Sequence, residues 1–328
     1  MRALTVVVVI LAAVWGGYWF VGASALKNGS EAWFQAQTDA GMVATRDSLN
    51  VAGFPNRFDL TVEGLHLADP ATGLGWSAPE LRLFSLSYTP WHWIAVLPSS
   101  QTVDLPGQTL TVTATDLRSS LVLVPGTALA LDRVALTGAD LAVSSTLGWR
   151  FGTKSLALHT RQAVAAHAHE IDLAISDVTA DPALTSVLAD SGLPVTMEAV
   201  HLNAVLAFSA PLDRFAGETR PMLTKLSVKE ARITWGSNTV LAQGDIAPDA
   251  NGQAEGRIDL RIEDWRKLLA VAQAMGLITP EVAPTWETAL AMLAEQSGDP
   301  DVLHMPLTMQ NGRMSLGFLP LGAAPLLR

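Results

Sequence analysis

Arg57-Phe58-Asp59-Leu60-Thr61-Val62-Glu63 decides the fold class of this 328-residue chain. Phe58, Leu60 and Val62 are apolar, and charged or hydroxylated residues stand between them. Successive side chains of a strand point to opposite faces, so the segment reads as a strand with one dry and one wet face. The pattern returns at Leu110, Val112 and Ala114, at Ile171, Leu173 and Ile175, and at Ile258, Leu260 and Ile262. Strands of this kind build antiparallel sheet. Asn311-Gly312 is the sharpest turn signal. It separates Leu307 and Met309 from Met314, Leu316 and Phe318, as a type I′ hairpin requires.

A weaker echo runs through these strands: two apolar residues in alternation, a short spacer, then two more. It occurs at Leu60/Val62 and Leu65/Leu67, at Leu129/Leu131 and Val134/Leu136, and at Leu226/Val228 and Ala231/Ile233. The change of phase sends the second pair to the other face unless the chain bulges at the spacer. Gly64 is placed to supply such a bulge. Repeated bulges would curl a long sheet into a trough; an ordinary sandwich with irregular strands stays open as the alternative.

Helices are few. Asp181 to Ala189 reads as a short one closed by Gly192, Asp264 to Met275 as one capped by Asp264 and stopped by Gly276, and Thr285 to Glu295 as a third. An amphipathic stretch from Ser30 to Met42, for which Ser30 is a candidate cap, reads as a helix that joins the anchor to the body, with an interfacial helix lying on the membrane as the alternative. The expected fold is mainly β: an N-terminal transmembrane helix, then long curved antiparallel sheet with a few short helices. The expected division is an anchor at 1–25, a β-rich half at 26–180 and a second β-rich half with two helices at 181–328.

The anchor rests on Ala3 to Ala23, which contains no charged side chain. About 20 apolar residues cross the hydrocarbon core. Ala23-Ser24-Ala25 could be a signal-peptidase site, but the run is longer than a typical secretion h-region and its n-region is only Met1 and Arg2. An uncleaved anchor is therefore the reading adopted. Arg2 keeps the N-terminus cytoplasmic, so the protein is expected in the inner membrane, single-pass, with its body in the periplasm.

Net charge is −10, which disfavours nucleic acid as a partner, since phosphates need a basic face. Charged residues make up only 16% and apolar residues 49%, so apolar surface beyond the anchor must line a core or an exposed face. The chain has no cysteine, which excludes disulfides and thiolate chemistry.

Chemistry-bearing motifs are scarce. No Gly-x-Ser-x-Gly elbow, His-Glu-x-x-His or phosphate loop is present. His167 and His169 would share a face if both lay on a strand, but a metal site needs further ligands, and a polar strand face beginning before Ile171 is the reading adopted. No catalytic, cofactor-binding or metal-binding residue is assigned, and no cofactor is expected. Trp91 and Trp93, flanking His92, read either as interfacial aromatics or as packing at a strand end.

Several motifs together carry a family resemblance. Gly53-Phe54-Pro55 precedes the first clear strand. Trp76-Ser77-Ala78-Pro79-Glu80 is followed by Tyr88-Thr89-Pro90-Trp91-His92, and the chain closes on a Met305 to Gly322 segment built around Asn311-Gly312. With the apolar N-terminus, these resemble the domain of unknown function 2125 family of alphaproteobacterial envelope proteins. That resemblance implies an envelope protein and brings no activity with it. The stretch from Gly244 to Trp265 is more distantly similar to AsmA-like proteins, which implies a membrane anchor followed by sheet with an apolar inner surface and a role in lipid handling.

The expectation is thus a non-enzymatic protein that binds lipid or an acyl chain, or serves as an AsmA-like accessory in envelope homeostasis. Leu81, Leu83, Leu129, Leu131, Ile258, Leu260 and Ile262 are the candidate lining of an apolar groove. Two alternatives stand beside it: an assembly partner of another envelope protein through edge strands, and a hydrolase with dispersed carboxylates.

Overall fold

The computed structural model describes residues 1–276, 278–279, 281–317 and 319–327. The chain is mainly β, with a long apolar N-terminal helix, eighteen antiparallel strands and a few short helices among the described residues. It divides into two compact units, one of residues 1–125 and 135–149, the other of residues 126–134 and 150–328. The sequence position 181 lies inside the second unit.

In the first unit, helix α1 (Arg2–Asp39) runs unbroken for 38 residues. The joining helix expected from Ser30 is present as far as Asp39, but Ser30 does not cap it: it lies within α1, continuous with the apolar run. Packing explains this, because Leu26 and Phe34 bury against the sheet on both sides of the polar Lys27–Ser30 stretch. Burial of an apolar face holds a helix through residues of poor local propensity. Strands β1 (Val43–Thr45) and β2 (Ser48–Ala52) both pair with β3 (Arg57–Asp69), which pairs on its other side with β4 (Leu74–Leu86). Beyond β4 come β5 (His92–Val96), β6 (Ser100–Leu105), β7 (Gln108–Thr113) and β8 (Asp116–Leu123). The later part of β9 (Leu131–Ser145) pairs with β7.

The alternation read from Arg57 to Glu63 is observed: Phe58, Leu60 and Val62 are buried. Gly64 has φ +59°, and Leu65 is buried in the same cluster as Val62. The phase of the strand therefore slips at Gly64 without losing its dry face, while the register with β4 continues unshifted across it, Glu63 opposite Glu80 and Leu65 opposite Ala78. A Cβ on Gly64 would collide with the Asp47 carboxylate.

The second unit is a meander of β10 (Arg150–Gln162), β11 (Ala168–Thr179), β12 (Thr196–Phe208), β13 (Leu223–Trp235), β14 (Asn238–Pro248), β15 (Ala254–Glu263), β16 (Val302–Gln310), β17 (Arg313–Leu316) and β18 (Leu319–Ala323). Each strand pairs antiparallel with the next. The register shifts between Val228 and Ala231, which keeps the echo at Leu226 to Ile233 on one face. Leu129, by contrast, stands before β9 with φ +50°, so that copy of the echo begins outside a strand. Helices α2 (Thr185–Ser191), α3 (Ala216–Thr219), α4 (Trp265–Ala274) and α5 (Ala283–Gln296) complete the unit.

The expected hairpin is present. Gln310 pairs with Arg313 and Leu307 with Leu316, and Asn311 and Gly312 have φ +53° and +73°. Positive φ at both central residues defines the type I′ turn. Phe318, expected on this hairpin, lies outside the described residues. The expected cap at Asp264 takes a different form: its φ is +53°, and its carboxylate accepts from Lys267 Nζ at 3.1 Å rather than from a helix amide.

Candidate functional site

An apolar concavity lies between α1 and the β3–β4 pair, with a volume of about 530 Å³. Its helix wall is Ala25, Leu26, Gly29, Ser30, Trp33 and Phe34, two interleaved rows at a spacing of four. Its sheet wall is Leu60, Val62, Leu65 and Leu67 of β3 with Trp76, Leu81 and Leu83 of β4. The space exists because Ala25, Gly29 and Ser30 are small and leave the gap between helix and sheet unfilled. Leu26 and Phe34 close against the core at the cleft floor, while Trp33 is 47% exposed at its edge. Trp76 donates its indole N–H to Gln101 Oε1 at 2.7 Å, so its ring presents only carbon to the cleft. Arg46 lays its guanidinium over the Phe34 ring at 4.3 Å and has no ion-pair partner among the described residues.

A second apolar surface belongs to the second unit. Pairing registers align Leu156, Ile175, Val200, Ile233, Val240, Ile262 and Leu303 in one row across seven strands. The neighbouring row is Leu158, Leu173, Leu202, Ala231, Ala242, Leu260 and Met305. Trp265, Leu269, Leu290 and Ala294 of α4 and α5 pack over Leu303 and Met305 with Leu260 and Ile262. From β10 to β13 the same rows are half-buried. His169 stands in this apolar surface, buried, with its Nδ1 unpartnered by the protein. Burial pushes its imidazole below the ordinary value, and the Asp132 carboxylate opposes the shift.

The seven residues expected to line one groove are thus distributed. Leu81 and Leu83 line the cleft of the first unit. Ile258, Leu260 and Ile262 lie on β15 in the apolar surface of the second, and Leu131 opens β9, its amide donating to Leu212 O at 2.7 Å. Leu129 is half-buried in the bend before it. Trp91 and Trp93 are half-buried; Trp93 packs with Trp19 and Phe58 and donates its indole N–H to Pro90 O at 2.9 Å. His167 and His169 do not share a face, because His167 sits in the turn before β11 with φ +54° while His169 is buried in the strand. The helix wall of the cleft escaped the sequence reading. Its signal was the spacing of small residues at Ala25 and Gly29 against bulky Leu26, Trp33 and Phe34.

Fold and cleft together define a β-rich protein that begins with one N-terminal helix, the one helix among the described residues long and apolar enough to cross a membrane. A family model described as "Uncharacterized protein conserved in bacteria (DUF2125)" matches residues 19–325, and the chain belongs to that family. No curated protein and no solved structure matches the chain. The similarity to AsmA-like proteins is carried by none of these comparisons.

Proposed function

We propose that this is a non-enzymatic, single-pass inner-membrane protein whose cleft between α1 and β3–β4 binds one acyl chain of a lipid. In this reading Ala3–Ala23 is the anchor, the N-terminus is cytoplasmic and the body is periplasmic. The observation that carries it is the position of the cleft. Its first lining residue, Ala25, follows the last residue of the apolar run by two positions on the same unbroken helix. The cleft mouth therefore lies at the membrane surface, within reach of a lipid tail. Its volume falls in the range of about 300 to 1,000 Å³ typical of small-ligand sites, and carbon dominates its walls. Arg46, resting on a cleft-lining ring, supplies counter-charge for an acidic head group. An AsmA-like role in envelope homeostasis is the wider form of this reading, supported by the apolar rows of the second unit.

The hydrolase reading has less support. A catalytic acid needs a carboxyl held above its ordinary range. Here Asp69 is held below it by the Ala71 amide, Asp181 by the Ala183 amide and Asp245 by the Ser227 hydroxyl. The edge-strand reading is weakened by Pro320 on β18, since proline blunts an edge.

Mass spectrometry of lipids co-purified with the full chain in mild detergent tests the proposal. The native chain should carry lipid, and Leu81→Glu should lose it while keeping its circular-dichroism spectrum, because a cleft wall can rehydrate. Lipid retained in folded Leu81→Glu, or none in the native chain, would reject the cleft as a binding site.

A further inference from the structure

Two turns of the first unit lie against the second half of the apolar run. One is Gly53–Asn56, before β3; the other is Ser87–Pro90, after β4. Phe54 stacks on Phe20 of α1 with ring centroids 5.6 Å apart and meets Trp19 edge-on at 5.4 Å. Trp15 Nε1 donates to Pro55 O at 3.1 Å, Tyr18 Oη to Ser87 O at 2.6 Å and Trp19 Nε1 to Arg57 O at 2.6 Å. Both turns are therefore tied to helix positions 15 to 20.

The length of the helix then sets their depth. Ala3 to Val14, the apolar segment before the first of these contacts, measures about 18 Å at 1.5 Å per residue. The hydrocarbon core is roughly 30 Å thick. A helix that crosses all of it must carry both turns into the outer leaflet. Their surfaces suit that place: Phe54 is 56% exposed, Tyr88 57% and Phe20 61%. Irregular backbone survives at such depth only when protein groups satisfy its polar atoms. The carbonyls of Pro55, Arg57 and Ser87 have those partners, all donated by aromatic side chains of α1. The Arg57–Asp59 ion pair, 2.7 Å long, lies on the opposite face of β3 from Phe58 and marks the head-group level that limits insertion.

We infer that the Phe54 and Tyr88 turns form a second membrane contact, seated among the lipids of the outer leaflet beside α1. This inference rests on the anchor reading. Because the chain has no cysteine, single-cysteine labelling can separate the two. Phe54→Cys, Tyr88→Cys, Leu11→Cys and Ala71→Cys, each in the full chain, would carry a nitroxide label in phosphatidylcholine nanodiscs. Relative accessibility to oxygen and to a water-soluble nickel chelate reports depth. Labels at 54, 88 and 11 should favour oxygen, and the label at 71, in the turn at the far end of the β3–β4 hairpin, should favour nickel. Nickel-accessible labels at 54 and 88 with a lipid-embedded label at 11 would overturn the inference and leave the anchor standing. A nickel-accessible label at 11 would overturn both. If Phe54→Cys fails to fold, Tyr88→Cys decides alone, since Tyr88 is exposed and its hydroxyl makes no hydrogen bond among the described residues.

Discussion

His169 is a base set in an apolar row, and its cost depends on pH. Burial lowers its pKa below the ordinary value near 6.5. The unfolded chain then takes up the proton first as pH falls. Stability is therefore greatest above about pH 6.5, declines as pH drops through that value, and levels off once the folded form is protonated too. The urea midpoint of the second unit should fall between pH 7.5 and 5.5, and His169→Leu should flatten that slope. The lowered carboxylates act in a separate window. Asp69, Asp181 and Asp245 contribute stability above their ordinary values and lose it only in more acidic solution. In the sequence, His169 stood with His167 on a polar strand face; the αL turn at His167 moves the two apart.

At the scale of elements, the meeting of α1 with the sheet is the determining contact. A Cβ on Gly22 would come within 2.6 Å of the Phe58 ring, so glycine lets helix and strand touch there. Gly22→Leu should lower the denaturant midpoint of the first unit by an amount equivalent to about 1–3 kcal/mol, the usual cost of overpacking, and reduce the lipid retained. Alternation revealed β3, β15 and the Asn311-Gly312 hairpin because each depends on neighbours two residues away. Leu81 and Leu83, picked out by the same alternation, stand on the sheet wall of the cleft. The other side was hidden for two reasons. Asn28, Gly29 and Ser30 resemble a helix boundary, and tertiary packing of Leu26 and Phe34 overrides that local preference. A gap left by small residues also has no periodicity of its own. The rows joining Ile262 to Leu156 were hidden because they depend on strand register across the meander, which no single segment encodes.

Across the whole chain, each unit has its own core. Phe34, Ala44, Leu60, Val62, Leu65 and Ala78 form one; Trp265, Leu269, Leu290, Ala294, Leu303 and Met305 form the main one of the other. Chains built this way depart from two-state unfolding. Hydrogen exchange followed by mass spectrometry should show Leu60→Ala loosening peptides of the first unit and Leu303→Ala those of the second, each truncation costing about 2–5 kcal/mol. Loss of protection in both units from either change would refute separate cores. The unbroken course of α1 carries a mechanical meaning as well. A mast stepped without a joint has no swivel. If Ala3–Ala23 spans the bilayer as proposed, an over-long span leans where the bilayer grows thin, and the lean travels along the unbroken α1 to Phe34. In the anchor reading, the thickness of the membrane is thereby geared to the inclination of the β3–β4 sheet, which α1 grips through Trp19, Phe34 and Phe58.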